Sequence, residues 1–191
     1  MASAMDTRTV NGIELPPVGT YAFDQAHTTI GFVARHMLSK VRGRFAEYDG
    51  EVTIGERPED SSVRIDIRSG SITTDTQMRD DHLRSGDFLD VEKYPTLTFR
   101  STGVRVGEGP SFLLDGDLTI RGVTRPVTLA AEFLGHGPGM QGGTLAAFTA
   151  KTTIEREDWD LTWNVAVETG GVLVGKKVDV EIDAELLLEE R

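Results

Sequence analysis

The chain of 191 residues carries four histidines and no cysteine. Disulfides, thiolate nucleophiles, cysteine-ligated zinc and iron–sulfur clusters are thereby excluded together. Chemistry is left to His27, His36, His82 and His136, the carboxylates and the hydroxyls. No two histidines have the close spacing of a metal-binding pair, so no metal site is expected. His136 lies in Gly135-His136-Gly137-Pro138-Gly139, which reads as an exposed loop. No serine stands in a nucleophile elbow, and no glycine-rich phosphate loop joins a strand to a helix. No catalytic residue is expected.

What the residues do offer is the lining of an apolar site with a few polar groups beside it. By parity His36 shares a strand face with Ile30, Phe32 and Ala34, at the strand's end. It is either a polar group at the mouth of an apolar pocket or a hydrogen-bonded histidine at the core edge. Trp159 and Trp163 are four apart, as core aromatics at a strand turn or as the wall around an extended apolar ligand. Met78 and His82 also lie four apart, with Arg79 and Leu83 on the neighbouring helical face. Phe99 belongs to a dry face with Leu97.

Period-two alternation dominates the chain that must position these groups. From Lys176 to Leu188, Val178, Val180, Ile182, Ala184, Leu186 and Leu188 fall on one face, and Lys177, Asp179, Glu181, Asp183 and Glu185 on the other. That predicts a long strand with Ile182 inward and Glu181 outward. Further strands are expected at Tyr21–Asp24, Thr28–His36, Arg44–Ile54, Val63–Ile67, Leu97–Ser101, Phe112–Ile120, Val127–Phe133 and Leu145–Ile154, with turns at Asp49-Gly50, Gly107–Pro110, Arg121-Gly122 and Gly135–Gly143. About eight antiparallel strands in one domain favour a closed all-β barrel, which leaves no exposed edge; a two-sheet sandwich has the same parity. Thr74 to Gly86 breaks the alternation and reads as one short helix, with Thr74 as N-cap, Gln77 completing a capping box, and the barrel mouth as its expected place. Residues 1–18 read as an irregular lead-in and 19–191 as the barrel domain.

Charge narrows the partners. Twenty Lys and Arg against 31 Asp and Glu give a net charge of −11. Such a chain repels nucleic acid and anionic lipid, so neither nucleic-acid binding nor stable membrane insertion is expected. Met1 to Pro17 has no basic segment followed by an apolar core, and the cytoplasm is the expected location. A homodimer is compatible with this reading.

The segment Tyr21-Ala22-Phe23-Asp24-Gln25-Ala26-His27-Thr28-Thr29-Ile30-Gly31-Phe32, followed by Val41-Arg42-Gly43-Arg44-Phe45, resembles the opening of YceI-like proteins. So do Arg79-Asp80-Asp81-His82-Leu83, Tyr94-Pro95-Thr96-Leu97-Thr98-Phe99, Gly116-Asp117-Leu118-Thr119-Ile120-Arg121-Gly122-Val123-Thr124 and Ile154-Glu155-Arg156-Glu157-Asp158-Trp159. The blocks follow in order over residues 19–188. The resemblance implies a lipocalin-like antiparallel β-barrel whose long apolar cavity binds a polyisoprenoid or isoprenoid-quinone chain, without enzymatic activity and with no cofactor besides that lipid. Family members are often exported. Ile30, Phe32, Ala34, His36, Met78, Arg79, His82, Phe99, Trp159 and Trp163 are the expected ligand-binding residues, with His36, Arg79 and His82 as donors to a head group. Thr28 stands where the family often has Ser, and Trp159-Asp160 where Phe-Gly is usual. The rival readings are an enzyme acting on a small lipophilic substrate in the same cavity, and a ligand-free stress-related interaction protein.

Overall fold

The protein is described by a computed structural model covering residues 8–140, 142–168 and 170–189. Strands β1 (Thr9–Val10) and β2 (Ile13–Glu14) form a small hairpin. Next, β3 (Gly19–Phe23) and β4 (Thr29–His36) lie end to end along one stave, and β5 (Ser39–Phe45) and β6 (Tyr48–Ile54) along the next. After β7 (Ser62–Arg68) come the short β8 (Ile72–Thr73) and helix α1 (Gln77–Arg84). The long strands β9 (Thr96–Val106), β10 (Ser111–Ile120), β11 (Val123–Pro138), β12 (Thr144–Glu155) and β13 (Val174–Leu188) complete the chain. Each stave pairs antiparallel with the next, and β13 closes the ring with β12 on one edge and with β4 and then β3 on the other. Among the described residues this is an eight-stave, up-and-down antiparallel barrel with one α-helix.

The alternation of β13 works as its sequence predicts. Val180, Ile182, Ala184 and Leu186 face the interior, while the Glu181 carboxylate lies outside and accepts a hydrogen bond from Arg42 at 3.0 Å. Burying one face against the other staves fixes the register, because a one-residue slip would wet every apolar side chain.

Several local expectations give way to tertiary packing. Asp49-Gly50 is no turn but part of β6, and Gly50 is needed because a Cβ there would lie 2.2 Å from the Arg64 carbonyl oxygen. The strand expected over Arg44–Ile54 breaks after Phe45, where Ala46 N–H donates to the Ser71 carbonyl and Glu47 N–H to the Ser71 hydroxyl. Gly135–Pro138, expected as loop, is instead the end of β11, bulged between Phe133 and Gly135, and its His136 is largely buried, stacked on Phe133. Helix α1 starts after Thr76 rather than Thr74, because the Thr74 hydroxyl is committed to Asp80 and Arg79. Within the N-terminal lead-in, residues 8–16 form the β1–β2 hairpin where irregular chain is expected; residues 1–7 lie outside the described residues.

The two ends of the barrel differ. At the α1 end, Ile72, Leu89, Leu97, Trp159 and Leu161 fill the interior. At the opposite end, the β1–β2 hairpin lies across the turns 55–61 and 107–110. Among the described residues no helix is long and apolar enough to cross a membrane.

Candidate functional site

Between the filled end and the hairpin the barrel is hollow. The cavity measures about 250 Å³. A single water needs only about 10–15 Å³ on this measure, and an apolar cavity of about 150 Å³ takes a benzene molecule. The wall is built by the inward positions of β6, β7, β9–β13 and the ends of β3 and β4, with Phe23, Phe99, Phe112, Phe133 and Phe148 as its largest side chains. Its few polar side chains are hydroxyls, among them Ser61, Ser62 and Thr152, and none of its described lining side chains is ionisable. Such a space favours an apolar solute by removing both surfaces from water.

Two of the expected ligand-binding residues line it: Ile30 and Phe99. Phe32 and Trp159 are packed in the apolar core nearer the α1 end, where Phe32 covers Gly43 and the Trp159 indole N–H donates to the Leu118 carbonyl at 3.0 Å. Ala34 and His36 continue β4 toward that same end, beside Val41 and Ser39 of β5. Met78 is 83% exposed on the outer face of α1. Arg79 donates to the Thr74 hydroxyl (2.7 Å), the Thr74 carbonyl and the Thr76 hydroxyl. His82 sits 2.9 Å from the Asp87 carboxylate, edge-on to Phe88 and to Trp163 at 4.5 Å. None of these eight borders the cavity. Helix α1 therefore caps the packed end of the barrel rather than an opening, because Leu83, Leu89, Trp159 and Leu161 occupy the space beneath it.

The polar groups at the packed end hold that end shut. Asp80 is buried and accepts hydrogen bonds from Thr74 N–H (2.7 Å), the Thr74 hydroxyl (2.6 Å) and the Thr73 hydroxyl (3.1 Å). Burial pushes its carboxyl pKa up, but these donors outweigh it and hold the group below the ordinary carboxylate range. Arg156 is also buried and gives its guanidinium hydrogens to the carbonyls of Gly175, Leu161 and Val174. Burial lowers its pKa, yet an arginine so placed stays charged, and it ties the end of β12 to the start of β13.

His27 lies on the outer surface, where its Nδ1 is 2.9 Å from Asp24 and 3.6 Å from Glu185. The hydrogen bond to Asp24 raises the imidazole pKa and lowers that of the carboxyl. The three ligand atoms lie within 4.8 Å of one another, so a cation could reach all three.

Sequence reasoning missed Val10, Ile13, Leu15 and Pro16, which line the cavity from the hairpin. The signal was present: Asn11-Gly12, flanked by Val10 and Ile13, is the dipeptide of a type I′ hairpin, and both residues take positive φ (51° and 79°).

A family model described as the YceI-like domain matches residues 21–186. A UPF0312 protein of Staphylococcus aureus (strain N315) is 36% identical over 174 residues, spanning 89% of this chain and 98% of its own. A UPF0312 protein of Ectopseudomonas mendocina (strain ymp) is 40% identical over 147 residues, 74% of this chain and 76% of its own. Among solved structures, Burkholderia cenocepacia BcnA superposes with a TM-score of 0.74 at 21% identity, covering 85% of this chain and 98% of that one. A domain from Saccharophagus degradans described as polyisoprenoid binding does so at 0.62 and 14% identity, covering 91% and 100%.

Proposed function

From the premise that the chain belongs to the YceI-like family, we propose that its barrel binds and carries the apolar chain of an uncharged isoprenoid, such as a prenol or an isoprenoid quinone, without catalysing a reaction. The observation that carries this reading is the cavity of about 250 Å³ with no ionisable lining side chain. Each methylene-sized piece of a lipid moved from water into such a space gains about 0.8 kcal/mol, so a prenyl chain needs no polar anchor. The polyisoprenoid-binding description of the Saccharophagus degradans domain agrees with that choice of ligand.

The surroundings argue against a diphosphate head. Glu14, Glu56, Glu59 and Glu108 lie at the hairpin end, and Arg57 there is engaged with Asp60 through bonds of 2.8 and 2.6 Å. The donors expected for a head group, His36, Arg79 and His82, sit at the packed end. We take residues 19–191 as the barrel domain and the hairpin before it as part of the site.

The test is extraction of the purified protein with organic solvent and mass spectrometry of the extract, followed by competition of geranylgeraniol and geranylgeranyl diphosphate against cavity-bound diphenylhexatriene. A co-purifying uncharged prenyl species and preferential displacement by the alcohol are expected. Failure of diphenylhexatriene to enter the protein, or stronger displacement by the diphosphate, overturns the reading.

A further inference from the structure

A hollow barrel needs a way in. Neighbouring staves are joined by hydrogen-bonded ladders over most of their length, including the closing one between β12 and β13, while the β11–β12 ladder joins only Ala130–Pro138 to Thr144–Lys151. At the α1 end the interior is filled and pinned by Asp80, Arg156 and Arg84, the last donating to the carbonyls of Gly70 and Ile72. Residues 8–16 lie over part of the remaining end.

That cover is weakly built on its own account. Each strand of the hairpin has two residues, and a hairpin of this size is not stable in isolation. It is held from outside in two ways. Val10, Ile13 and Leu15 dip into the cavity. The Arg8 guanidinium donates to the carbonyls of Gly55 (2.6 Å), Glu56 (2.7 Å) and Pro16, and the Asn11 side-chain amide donates to the Gly107 carbonyl at 2.9 Å. Arg8 thus ties the hairpin to the turn between β6 and β7, and Asn11 ties it to the turn between β9 and β10.

We propose that residues 8–16 are the door of the cavity, with Arg8 and Asn11 as its latch, and that ligand enters and leaves by displacing this hairpin while the barrel stays closed. The inference rests on the lipid-binding reading above. The hairpin is suited to the task because its contacts can be lost without breaking any ladder between the staves, so it opens locally at a cost far below that of unfolding. It is also part of the site, since Val10, Ile13 and Leu15 contact whatever fills the cavity beneath them.

The test is the release rate of diphenylhexatriene from the full-length protein, followed by stopped flow on mixing with excess vesicles of uncharged phospholipid. Asn11→Gly keeps the positive φ of the turn and removes only the amide donor, while Arg8→Ala removes the carbonyl-binding guanidinium. Loss of the charged donor is expected to speed release roughly tenfold, and Asn11→Gly to speed it severalfold. Arg57→Ala, on the same β6–β7 turn but outside the latch, and Arg79→Ala, at the packed end, should release at the wild-type rate. Unchanged release from both latch variants, or equal acceleration by Arg79→Ala, overturns the door and leaves lipid binding standing. A wild-type protein that takes up no probe overturns the lipid-binding reading itself. Should Arg8→Ala melt well below the wild type, Asn11→Gly alone decides the matter.

Discussion

The Thr28 hydroxyl donates to the carbonyl of Glu185 at 3.0 Å and accepts from its N–H at 3.1 Å. Here β13 changes neighbours, pairing with β4 through Asp183 and with β3 from Leu186. The Glu185 carbonyl also accepts from Asp24 N–H at 2.8 Å, and Thr28 supplies the acceptor for the Glu185 N–H, so the stave made of β3 and β4 turns aside at residues 24–28 without leaving the β13 backbone unpartnered. A Ser hydroxyl could do the same. Thr28→Ser is therefore expected to unfold close to wild type in urea, and Thr28→Val to lose about 1–3 kcal/mol, as for a buried donor left unsatisfied. Equal stability of the two variants would count against this role.

Ala150 lines the hollow part of the barrel. Ala150→Phe places a ring in space a lipid would use, so diphenylhexatriene affinity should fall at least ~10-fold. Because the ring enters a void rather than a packed core, the melting temperature should hold or rise. A variant that melts like wild type and binds the probe equally well would show that the ligand lies elsewhere.

Asp80 and Arg79 meet at the Thr74 hydroxyl, which donates to the first and accepts from the second. Asp80→Asn replaces one acceptor oxygen with a donor facing donors, and a loss of about 1–3 kcal/mol is expected. Arg79→Ala should lower the melting temperature while leaving the affinities for geranylgeraniol and geranylgeranyl diphosphate at the wild-type level. A selective loss for the diphosphate would return Arg79 to a head-group site. Because the folded Asp80 pKa is depressed, its contribution is present above the ordinary carboxylate range and is lost as pH falls through the lower folded value.

His27 and Asp24 give the opposite and the same sign respectively. The raised His27 pKa means that its contribution is full below about pH 6.5 and disappears as pH rises through the folded value. The lowered Asp24 pKa means a contribution present above about pH 4 and lost on acidification through the lower folded value. The pair is thus at full strength between about pH 4 and 6.5. An NMR titration should find the His27 pKa above that of an unperturbed imidazole, moving back toward about 6.5 in Asp24→Asn. No movement in the variant would disprove the coupling.

The parity of Ile182 against Glu181 was readable because burial of one sheet face imposes a period of two that needs no partner to be known. The same rule found Ile30 and Phe99 but could not separate Phe99 from Phe32. Both are inward on their strands, and only the filling of one end by Trp159, Leu161 and Leu89 makes Phe32 core and Phe99 cavity wall. That difference depends on depth along the barrel axis, which alternation does not encode. The polar residues around α1 misled for a related reason. Arg79 and His82 have the chemistry of head-group donors, yet their hydrogen bonds are spent on Thr74, Thr76 and Asp87. Val10, Ile13 and Leu15 were legible as a hairpin around Asn11-Gly12, but not as cavity lining, because contact with the turns 55–61 and 107–110 is wholly long-range.

The closing strand has a consequence for how the molecule is made. β13 joins β12 to both β3 and β4, and every one of those partners precedes it in the chain. On the ribosome, the outer edges of β12 and of the β3–β4 stave therefore wait unpaired until β13 emerges. Exposed strand edges are templates for pairing with other chains. The nascent protein is most prone to aggregate just before its last strand arrives.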